Sequence, residues 1–296
     1  MKVRLIANPA AGRGLGARRL EAARLALEPL GADVRVTERA GDEARLAREA
    51  VNDGCTAVAL LGGDGTWSNA ARAIIRAGAD CAIALLAAGT GSDFAKSVGA
   101  PATDFARTAA LLADGVSRRV DAARVDDHPF INIAGFGFDA SVVEAMDGVR
   151  WLRGDALYLY AALRQLFGYR GFRAAVDAPG EAPLALRPEL ALVVANGRHF
   201  GGAFTIAPNA ALDDGRLDVI RIGPASPLRR LRLFAAATRG AHMRFAEVGE
   251  RRGERFRLRF EAPPLFEADG ELRRAAAAEV EIASLPGALR VVAPRP

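Results

Sequence analysis

Cysteine is scarce in this chain, and long apolar runs are absent. Only Cys55 and Cys81 occur among 296 residues, and each begins an apolar, strand-like run in which a buried thiol packs as a small hydrophobe. This distribution excludes a disulfide framework and a cysteine-based zinc site. The apolar runs, such as Cys81–Ala88 and Leu190–Ala195, fall well short of the about 20 residues that span a bilayer. Because the N-terminus also lacks the features of a secretory signal, we expect a cytoplasmic protein without a transmembrane segment.

Lysine is nearly absent too. Lys2 and Lys96 are the only two lysines, so arginine supplies almost all of the 40 basic residues and the formal net charge of +5. A moderately basic surface favours anionic partners, which include nucleotides, acidic membranes and nucleic acid. The arginines are dispersed and no RNA- or DNA-binding motif occurs, so we do not expect a nucleic-acid partner.

The pattern of apolar residues changes near residue 122, and the length suits about two domains. Short β-like runs alternate with helical patterns over the first part, which is typical of a parallel α/β sheet. The predicted strands there are Lys2–Ala7, Asp33–Thr37, Ala57–Leu61 and Cys81–Leu86. After Asp121 hairpin-like pieces follow, with strands predicted at Phe130–Ile133, Leu190–Ala195, Leu217–Ile222 and Phe256–Phe260. We therefore predict an α/β nucleotide-binding domain over 1–122 and a β-rich domain over 123–296, whose last strand could return to the first domain.

One segment of the second part departs from the β pattern. Trp151–Tyr169 is apolar and aromatic over a helical length, which predicts a core helix. Such a helix could also line a pocket for an acyl chain, although periodicity does not tell which residues would face a lipid.

Three glycine-containing loops follow strands of the predicted parallel sheet. They are Gly62–Thr66 after the third strand, Gly89–Phe94 after the fourth and Asn8–Gly16 after the first. At a strand-to-helix turn, glycines let backbone N–H groups approach phosphate oxygens, and the helix N-terminus adds a favourable partial charge. Neither the Walker pattern nor a dinucleotide fingerprint is present. An ordinary tight turn would also use glycines, but the loops should converge at one edge of the sheet and suit a nucleotide triphosphate.

Two carboxylates, Asp64 and Asp93, lie in these loops. Bare carboxylates would repel a polyphosphate unless a divalent cation or its waters stood between them. Magnesium is the expected ion, because it prefers oxygen ligands and binds together with substrate phosphates.

Six motifs occur in order along the chain: NPAAG at Asn8–Gly12, GGDGT at Gly62–Thr66, GTGSDFA at Gly89–Ala95, FINIAGFGFDA at Phe130–Ala140, VVANGRHFGGAFTIAPNAALDDGRLDV at Val193–Val219 and EADGE at Glu267–Glu271. In this set the chain resembles the bacterial lipid kinases related to diacylglycerol kinase and, more distantly, to sphingosine kinase. The GGDGT motif alone is shared with NAD kinases, whereas the ordered set is more specific. The resemblance implies an α/β nucleotide-binding domain of the NAD kinase and diacylglycerol kinase type, followed by a β-rich, sandwich-like domain.

The resemblance also implies roles for individual residues. Those matching nucleotide contacts are Asn8, Gly12, Thr37, Gly63, Asp64, Gly65, Thr66, Trp67, Ser68, Asn69, Gly89, Thr90 and Asp93. The magnesium loop of the family matches Ala211–Arg216, with the side chain of Asp214 and the backbone carbonyls of Ala211 and Arg216 as ligands. Glu271 matches the general base, and Asp64 belongs to the catalytic metal–phosphate network. Without the resemblance, the segments around Asp214 and Glu271 would be interpreted as ordinary turns.

Two positions depart from the family pattern. Ser92 stands where asparagine is usual, and Asn69 stands where glutamate is usual, which removes a negative charge near the phosphates. Asp64, Asp93, Asp214 and Glu271 are all retained, so we expect an active enzyme.

The expected activity is an ATP- and Mg²⁺-dependent transfer of the γ-phosphate to the hydroxyl of a lipid alcohol such as diacylglycerol. The alternatives are a soluble NAD kinase-like enzyme and a non-catalytic sensor that binds lipid or nucleotide. A lipid substrate requires transient contact with an anionic membrane, for which a stretch of leucines and arginines is suited; its arginines are Arg229, Arg230, Arg232, Arg239 and Arg244. An exposed strand edge in either domain could pair two chains into a homodimer.

Overall fold

A computed structural model of the chain describes residues 1–89, 91–147, 165 and 168–294. The chain divides into two compact units. The first comprises Met1–Ala122, Leu212–Gly215 and Leu285–Pro296, and the second comprises Ala123–Ala211 and Arg216–Ser284. The chain therefore returns twice to the first unit after it has entered the second.

The first unit is built on a parallel sheet. Its strands are β1 (Val3–Ala7), β2 (Asp33–Val36), β3 (Ala57–Gly62) and β4 (Ala82–Ala87), paired in the order β2-β1-β3-β4. The helices are α1 (Ala11–Leu27), α2 (Asp42–Asn52), α3 (Asp64–Arg76), α4 (Asp93–Val98) and α5 (Phe105–Ala113), with a 3₁₀ turn at Glu28–Leu30. Every residue of β1, β3 and β4 is buried, which explains their unbroken apolar sequences.

The final strand, β18 (Glu279–Val291), ends in this first unit. Its residues Arg290 and Val291 pair in parallel with Ala82 and Ile83 of β4. The C-terminal segment therefore extends the nucleotide-type sheet by one strand.

The second unit contains two sheets. The six-stranded antiparallel sheet has the order β14-β13-β10-β7-β16-β17. Its strands are β7 (Ile133–Gly137), β10 (Ala191–Ala195), β13 (Leu217–Ile222), β14 (Val248–Gly253), β16 (Leu265–Ala268) and β17 (Glu271–Arg274). The other sheet contains the first residues of β18 and the strands β5 (Arg118–Val125), β6 (His128–Phe130), β8 (Phe172–Asp177), β9 (Arg187–Glu189) and β15 (Arg255–Phe260), of which β5 begins in the first unit. The remaining elements are the hairpin β11 (His199–Phe200) and β12 (Phe204–Thr205), the helices α6 (Phe138–Asp147) and α7 (Pro227–Ala237), and a 3₁₀ helix at Ala241–Arg244.

Side chains from both sheets form one core in the second unit. Phe136 of β7 stacks on Phe260 of β15 at 5.4 Å between ring centroids and on Phe266 of β16 at 5.5 Å. Because the two inner faces interdigitate, the unit is a β-sandwich. The predicted fold class, an α/β nucleotide-binding domain with a β-rich, sandwich-like domain, is confirmed.

Two expectations concern features outside this core. The predicted helix over Trp151–Tyr169 lies almost entirely outside the described residues. Within the part of the chain that the structure describes, no helix is both long enough and apolar enough to cross a membrane.

Candidate active site

Three loops meet at the carboxyl ends of β1, β3 and β4. The side-chain amide of Asn8, which follows β1, donates to Oγ1 of Thr66 in the first turn of α3 at 3.0 Å. The backbone N–H of Phe94 in α4 donates to Oδ1 of Asp64 at 3.3 Å. The backbones of Gly63 and Gly89 also approach closely, since a Cβ built on Gly89 would lie 3.4 Å from the α carbon of Gly63. The structure thus brings together the loops that the sequence predicted to converge.

Gly12 is the position where the loop after β1 requires a glycine, since Gly12, Arg13 and Gly14 at the start of α1 have non-helical backbone angles. It has φ of +57°, and a Cβ there would lie 1.8 Å from the carbonyl oxygen of Ala88, just beyond β4. Left-handed backbone combined with this close approach leaves no room for a side chain. The loop after β1 therefore rests directly on the loop after β4.

Asn8 organises this region through both ends of its amide. Its Oδ1 accepts from the backbone N–H groups of Ala10 and Ala11, and its Nδ2 also donates to Oε1 of Glu43 at 2.9 Å. Glu43 is buried and was not predicted from the sequence. No local signal distinguishes it from the other acidic residues of α2, because its partner is 35 residues away in the chain.

The α3 turn supplies the expected electrostatic environment for phosphates. Asp64 is the first residue of α3, directly after β3 and Gly63, so the positive end of the helix dipole lies at the loop. Asp93 begins α4 in the same way, and its carboxylate lies 3.3 Å from Nζ of Lys96. The site therefore combines backbone donors with two carboxylates that could hold a cation.

Two other predicted nucleotide contacts, Thr37 and Trp67, have buried side chains. Thr37 follows β2 and is buried, and its N–H donates to the carbonyl of Ala7. The indole of Trp67 is fully buried and donates to the carbonyl of Leu60 at 3.0 Å, so this side chain is part of the core.

Ser68 is also buried, and its hydroxyl donates to the carbonyl of Gly65. Asn69 accepts a hydrogen bond from Arg72. The amide oxygen that replaces the usual glutamate therefore already has a cationic partner. Thr90 lies outside the described residues.

The Ala211–Arg216 loop is fixed by Asp121. The carboxylate of Asp121 accepts from the backbone N–H groups of Gly215 and Gly287, each at 2.7 Å, and its own N–H donates to the carbonyl of Leu212. Asp213 pairs with Arg118 at 3.3 Å, while Asp214 is exposed next to it.

The donors of this loop are of a kind that magnesium accepts. The three predicted ligands, the carboxylate of Asp214 and the carbonyls of Ala211 and Arg216, are all oxygens, the ligand type that a hard cation prefers. Within the described residues, no group of three or more histidine, cysteine, aspartate or glutamate side chains is arranged to hold a metal. A cation here would therefore depend on backbone carbonyls.

Glu271 lies just after a tight hairpin turn between β16 and β17. The turn residues Asp269 and Gly270 have φ of +50° and +84°, the left-handed values that a two-residue hairpin loop requires. The carboxylate of Glu267 accepts from the N–H of Gly270 at 2.8 Å. The turn thus defines where Glu271 begins β17.

Asp269 stabilises this turn against a neighbouring segment of the same unit. Its carboxylate accepts from three successive backbone N–H groups, those of Ile131, Asn132 and Ile133, at 2.8, 3.0 and 3.2 Å. Three N–H groups converging on one carboxylate form an anion-binding nest. The sequence pointed to Asp269 only as a turn residue, because its partners are more than 130 residues away.

The carboxylate of Glu271 has two basic neighbours. It is 2.5 Å from the guanidinium of Arg273 and 4.0 Å from Nε2 of His128, and its side chain is 40% exposed. His128 is buried and was not predicted from the sequence. A partly exposed carboxylate can accept a proton from a hydroxyl that reaches it.

Comparisons with known proteins agree with this geometry. The diacylglycerol kinase catalytic domain matches residues 2–125, and the YegS C-terminal NAD kinase beta sandwich-like domain matches residues 132–293. A diacylglycerol kinase of Mycobacterium tuberculosis is 33% identical over 99% of this chain and 96% of its own length. A probable lipid kinase YegS-like protein of Pseudomonas fluorescens is 33% identical over 63% of this chain and 61% of its own length.

The fold is shared with a solved structure as well. The crystal structure of a diacylglycerol kinase from Bacillus anthracis str. Sterne superposes with a TM-score of 0.74 at 19% identity, covering 99% of this chain and 96% of that one. The two family models together match nearly the whole chain, and the Mycobacterium tuberculosis relative matches 99% of it. The chain therefore belongs to the diacylglycerol kinase-like family of lipid kinases.

Proposed function

We propose that this protein is an ATP- and Mg²⁺-dependent lipid kinase that transfers the γ-phosphate of ATP to the hydroxyl of a lipid alcohol such as diacylglycerol. The observation that carries the proposal is the meeting of the Asn8, Gly63 and Gly89 loops around Asp64 in the first unit. Membership of the family and the names of its relatives support a lipid as the acceptor.

In this proposal the loops of the first unit bind the triphosphate. Backbone N–H groups of the first turn of α3 donate to phosphate oxygens, and Gly12 and Gly89 keep the surface open to them. Asp64 and Asp93 would hold a Mg²⁺ beside the phosphates, and that ion would shield the negative charge that builds up during phosphoryl transfer. Asp214, with the carbonyls of Ala211 and Arg216, would hold a Mg²⁺ in the loop fixed by Asp121.

Glu271 would act as the general base. The lipid hydroxyl oxygen attacks the γ-phosphorus, its proton passes to the Glu271 carboxylate, and the bond between the γ-phosphorus and the bridging oxygen breaks to release ADP. Proton acceptance by a positioned carboxylate contributes about 10²- to 10⁴-fold to rate. The hydrogen bond from Arg273 would hold the carboxylate in place.

Helix α7 supports contact with an anionic membrane. Leu228 is 73% exposed and Leu231 is 39% exposed on a helix that also carries the exposed Arg232. Exposed apolar side chains beside basic ones suit the interface of an anionic bilayer.

Two arginines that the sequence placed in this contact have partners inside the protein. Arg229 pairs with Glu247 at 2.8 Å and stacks over Phe245. Arg230 donates to the carbonyls of Ala225 and Tyr169. The membrane contact that we propose therefore relies on Arg232, Arg239 and Arg244, which are exposed.

The proposal is tested by following radiolabelled γ-phosphate from ATP and Mg²⁺ into a panel of lipid alcohols in mixed micelles. Reactions with NAD and without any acceptor run in parallel. We expect label in a lipid. Label in NAD alone would instead support the NAD kinase-like alternative, and bound ATP without transfer to any acceptor would support a sensor.

The magnesium part of the proposal has a matched pair of variants in adjacent residues. Asp214→Asn removes the proposed ligand, whereas Asp213→Asn removes a carboxylate that pairs with Arg118. We expect Asp214→Asn to raise the Mg²⁺ concentration needed for half-maximal activity at least about ten-fold, and Asp213→Asn to leave it near the wild-type value. An equal response of both variants would contradict the assignment of Asp214.

A further inference from the structure

The second unit contains an apolar cavity that the proposed chemistry does not use. It lies between the outer face of the β10-β13 part of the sheet and helix α7, and its empty space, open solvent included, is about 690 Å³. Its lining includes Phe138, Val193, Ile206, Phe234, Ala237 and His242. A cavity lined almost entirely by apolar side chains suits a hydrocarbon chain.

His242 is the polar exception in this apolar wall. It lies in the 3₁₀ helix Ala241–Arg244, is 1% exposed, and its Nε2 is 3.0 Å from the carbonyl oxygen of Ile206. A carbonyl only accepts hydrogen bonds, so Nε2 carries the proton and Nδ1 presents a lone pair. Burial lowers the pKa of His242, which keeps the ring neutral.

The Nδ1 atom of His242 has no hydrogen-bond partner in the described part of the chain. Buried acceptors are nearly always paired, so an unpaired one calls for an explanation, and a hydrogen-bond donor on a ligand would supply one. Arg230 also lines the cavity, but its guanidinium donates to backbone carbonyls of Ala225 and Tyr169. The cavity therefore offers a hydrocarbon site with one open hydrogen-bond acceptor.

We propose that this cavity takes the hydrocarbon chain of the acceptor lipid and that Nδ1 of His242 favours a chain bearing a hydroxyl group, which donates a hydrogen bond to it. The inference rests on the proposed lipid kinase function for the identity of the ligand. A hydroxyl is a neutral donor that a lipid chain can carry. A cationic donor fits poorly, because no carboxylate is among the described residues that line the cavity and a buried charge would lack a counterion.

Helix α7 connects this cavity to the proposed membrane contact. Leu233, Phe234 and Ala237 line the cavity, whereas Leu228 and Leu231 are exposed on the same helix. A lipid chain leaving a bilayer could therefore pass along one helix into the cavity.

The change in affinity caused by a hydroxyl group on the chain distinguishes this proposal from binding in a purely apolar cavity. In a purely apolar cavity, burying a hydroxyl without a partner weakens binding. At His242 the same hydroxyl would pair an acceptor that is otherwise unsatisfied, and the gain is about 5- to 150-fold in affinity.

The experiment measures equilibrium binding of radiolabelled palmitate to the full chain without nucleotide. Competitors are unlabelled palmitate and monohydroxypalmitates with the hydroxyl at successive positions, all kept below micelle-forming concentrations. We expect at least one isomer to compete about ten-fold better than palmitate. Because no ATP is present, the result does not depend on phosphoryl transfer, and a failure of the kinase proposal would appear separately in the transfer assay.

Variants assign the effect to the cavity and to His242. Ala237→Phe should fill the cavity and abolish binding, whereas Ala235→Phe on the exposed side of α7 should not. His242→Phe should remove the preference for the hydroxyl isomer and keep palmitate binding. His242→Gln, which retains a donor and an acceptor, should keep the preference in part.

Three results would overturn the proposal. If Ala237→Phe leaves palmitate binding unchanged, the chain does not bind in this cavity. If every hydroxyl isomer competes no better than palmitate, or the preference persists in His242→Phe, then His242 does not select the ligand.

Discussion

Replacing Asp269 with glycine removes one carboxylate on which three buried backbone N–H groups depend. The N–H groups belong to Ile131, Asn132 and Ile133, which are all buried. Glycine accepts the left-handed conformation of the turn, so the variant tests the hydrogen bonds and not the backbone strain. A hydrogen bond to a charged group contributes about 1.5–3 kcal/mol, and three that share one carboxylate are not additive. We expect the free energy of unfolding to fall by about 3–5 kcal/mol.

The chain offers a matched control in Asp126. This residue also has a left-handed φ, of +51°, but among the described residues its carboxylate accepts from only one backbone N–H, that of Glu281. Asp126→Gly should therefore cost about 1–2 kcal/mol.

Urea denaturation followed by circular dichroism measures the loss of unfolding free energy in both variants. In thermal melts, Asp269→Gly should lower Tm by roughly 10 °C. Equal losses for the two variants would refute the conclusion that the nest at Asp269 holds the Ile131–Ile133 segment. A folded Asp269→Gly should in addition transfer phosphate more slowly, because Glu271 follows the turn.

Three further predictions concern the first unit. Gly12→Ala should weaken binding of a fluorescent ATP analogue at least about ten-fold, because the new Cβ would clash with the carbonyl oxygen of Ala88 beyond β4. Gly14→Ala is the control, since Gly14 also has a positive φ but lies in open space, and it should have a small effect. Similar affinities for both variants would argue against the close approach at Gly12. The pKa of Asp42 is lowered to about 2 because its carboxylate accepts backbone N–H groups. The stability that wild type gains over Asp42→Asn should therefore be complete above about pH 4 and vanish as the pH falls towards 2. A stability difference that stays constant across this pH range in urea titrations would contradict the role of these hydrogen bonds. Burial raises the pKa of the Cys81 thiol to about 11, and the Cys55 thiol is buried as well. Both cysteines should therefore react with a thiol reagent only after unfolding. Rapid reaction of the native protein would contradict the burial of these thiols.

The parallel strands of the first unit could be predicted closely from the sequence. The third predicted strand, Ala57–Leu61, differs from β3 by one residue, and the fourth, Cys81–Leu86, is shifted by one from β4. Strands buried on both faces are short continuous apolar runs bounded by turn residues, so local composition is sufficient to find them.

The segment Phe130–Ile133, predicted as one strand, is not continuous. β6 ends at Phe130 and β7 begins at Ile133. The N–H groups between them donate to Asp269 instead of to a neighbouring strand. No local pattern could have predicted this break, because the acceptor lies more than 130 residues away.

The same limit applies to the candidate site. The convergence of the glycine loops could be predicted, because loops that follow neighbouring strands of a parallel sheet lie at the same edge of that sheet. Glu43, His128 and His242 were missed, since each is an ordinary residue in its local sequence. Their importance comes from tertiary neighbours, namely the amide of Asn8, the carboxylate of Glu271 and an apolar cavity.

The most direct test of the account compares phosphoryl transfer and nucleotide binding in Glu271→Gln. Glu279→Gln is the matched control, because Glu279 is also an exposed glutamate beside an arginine, here Arg257 at 3.1 Å. The account predicts that Glu271→Gln binds an ATP analogue as tightly as wild type and transfers label to lipid about 10²- to 10⁴-fold more slowly, with Glu279→Gln unchanged. Transfer at the wild-type rate by Glu271→Gln, or an equal loss of binding and transfer, would contradict it.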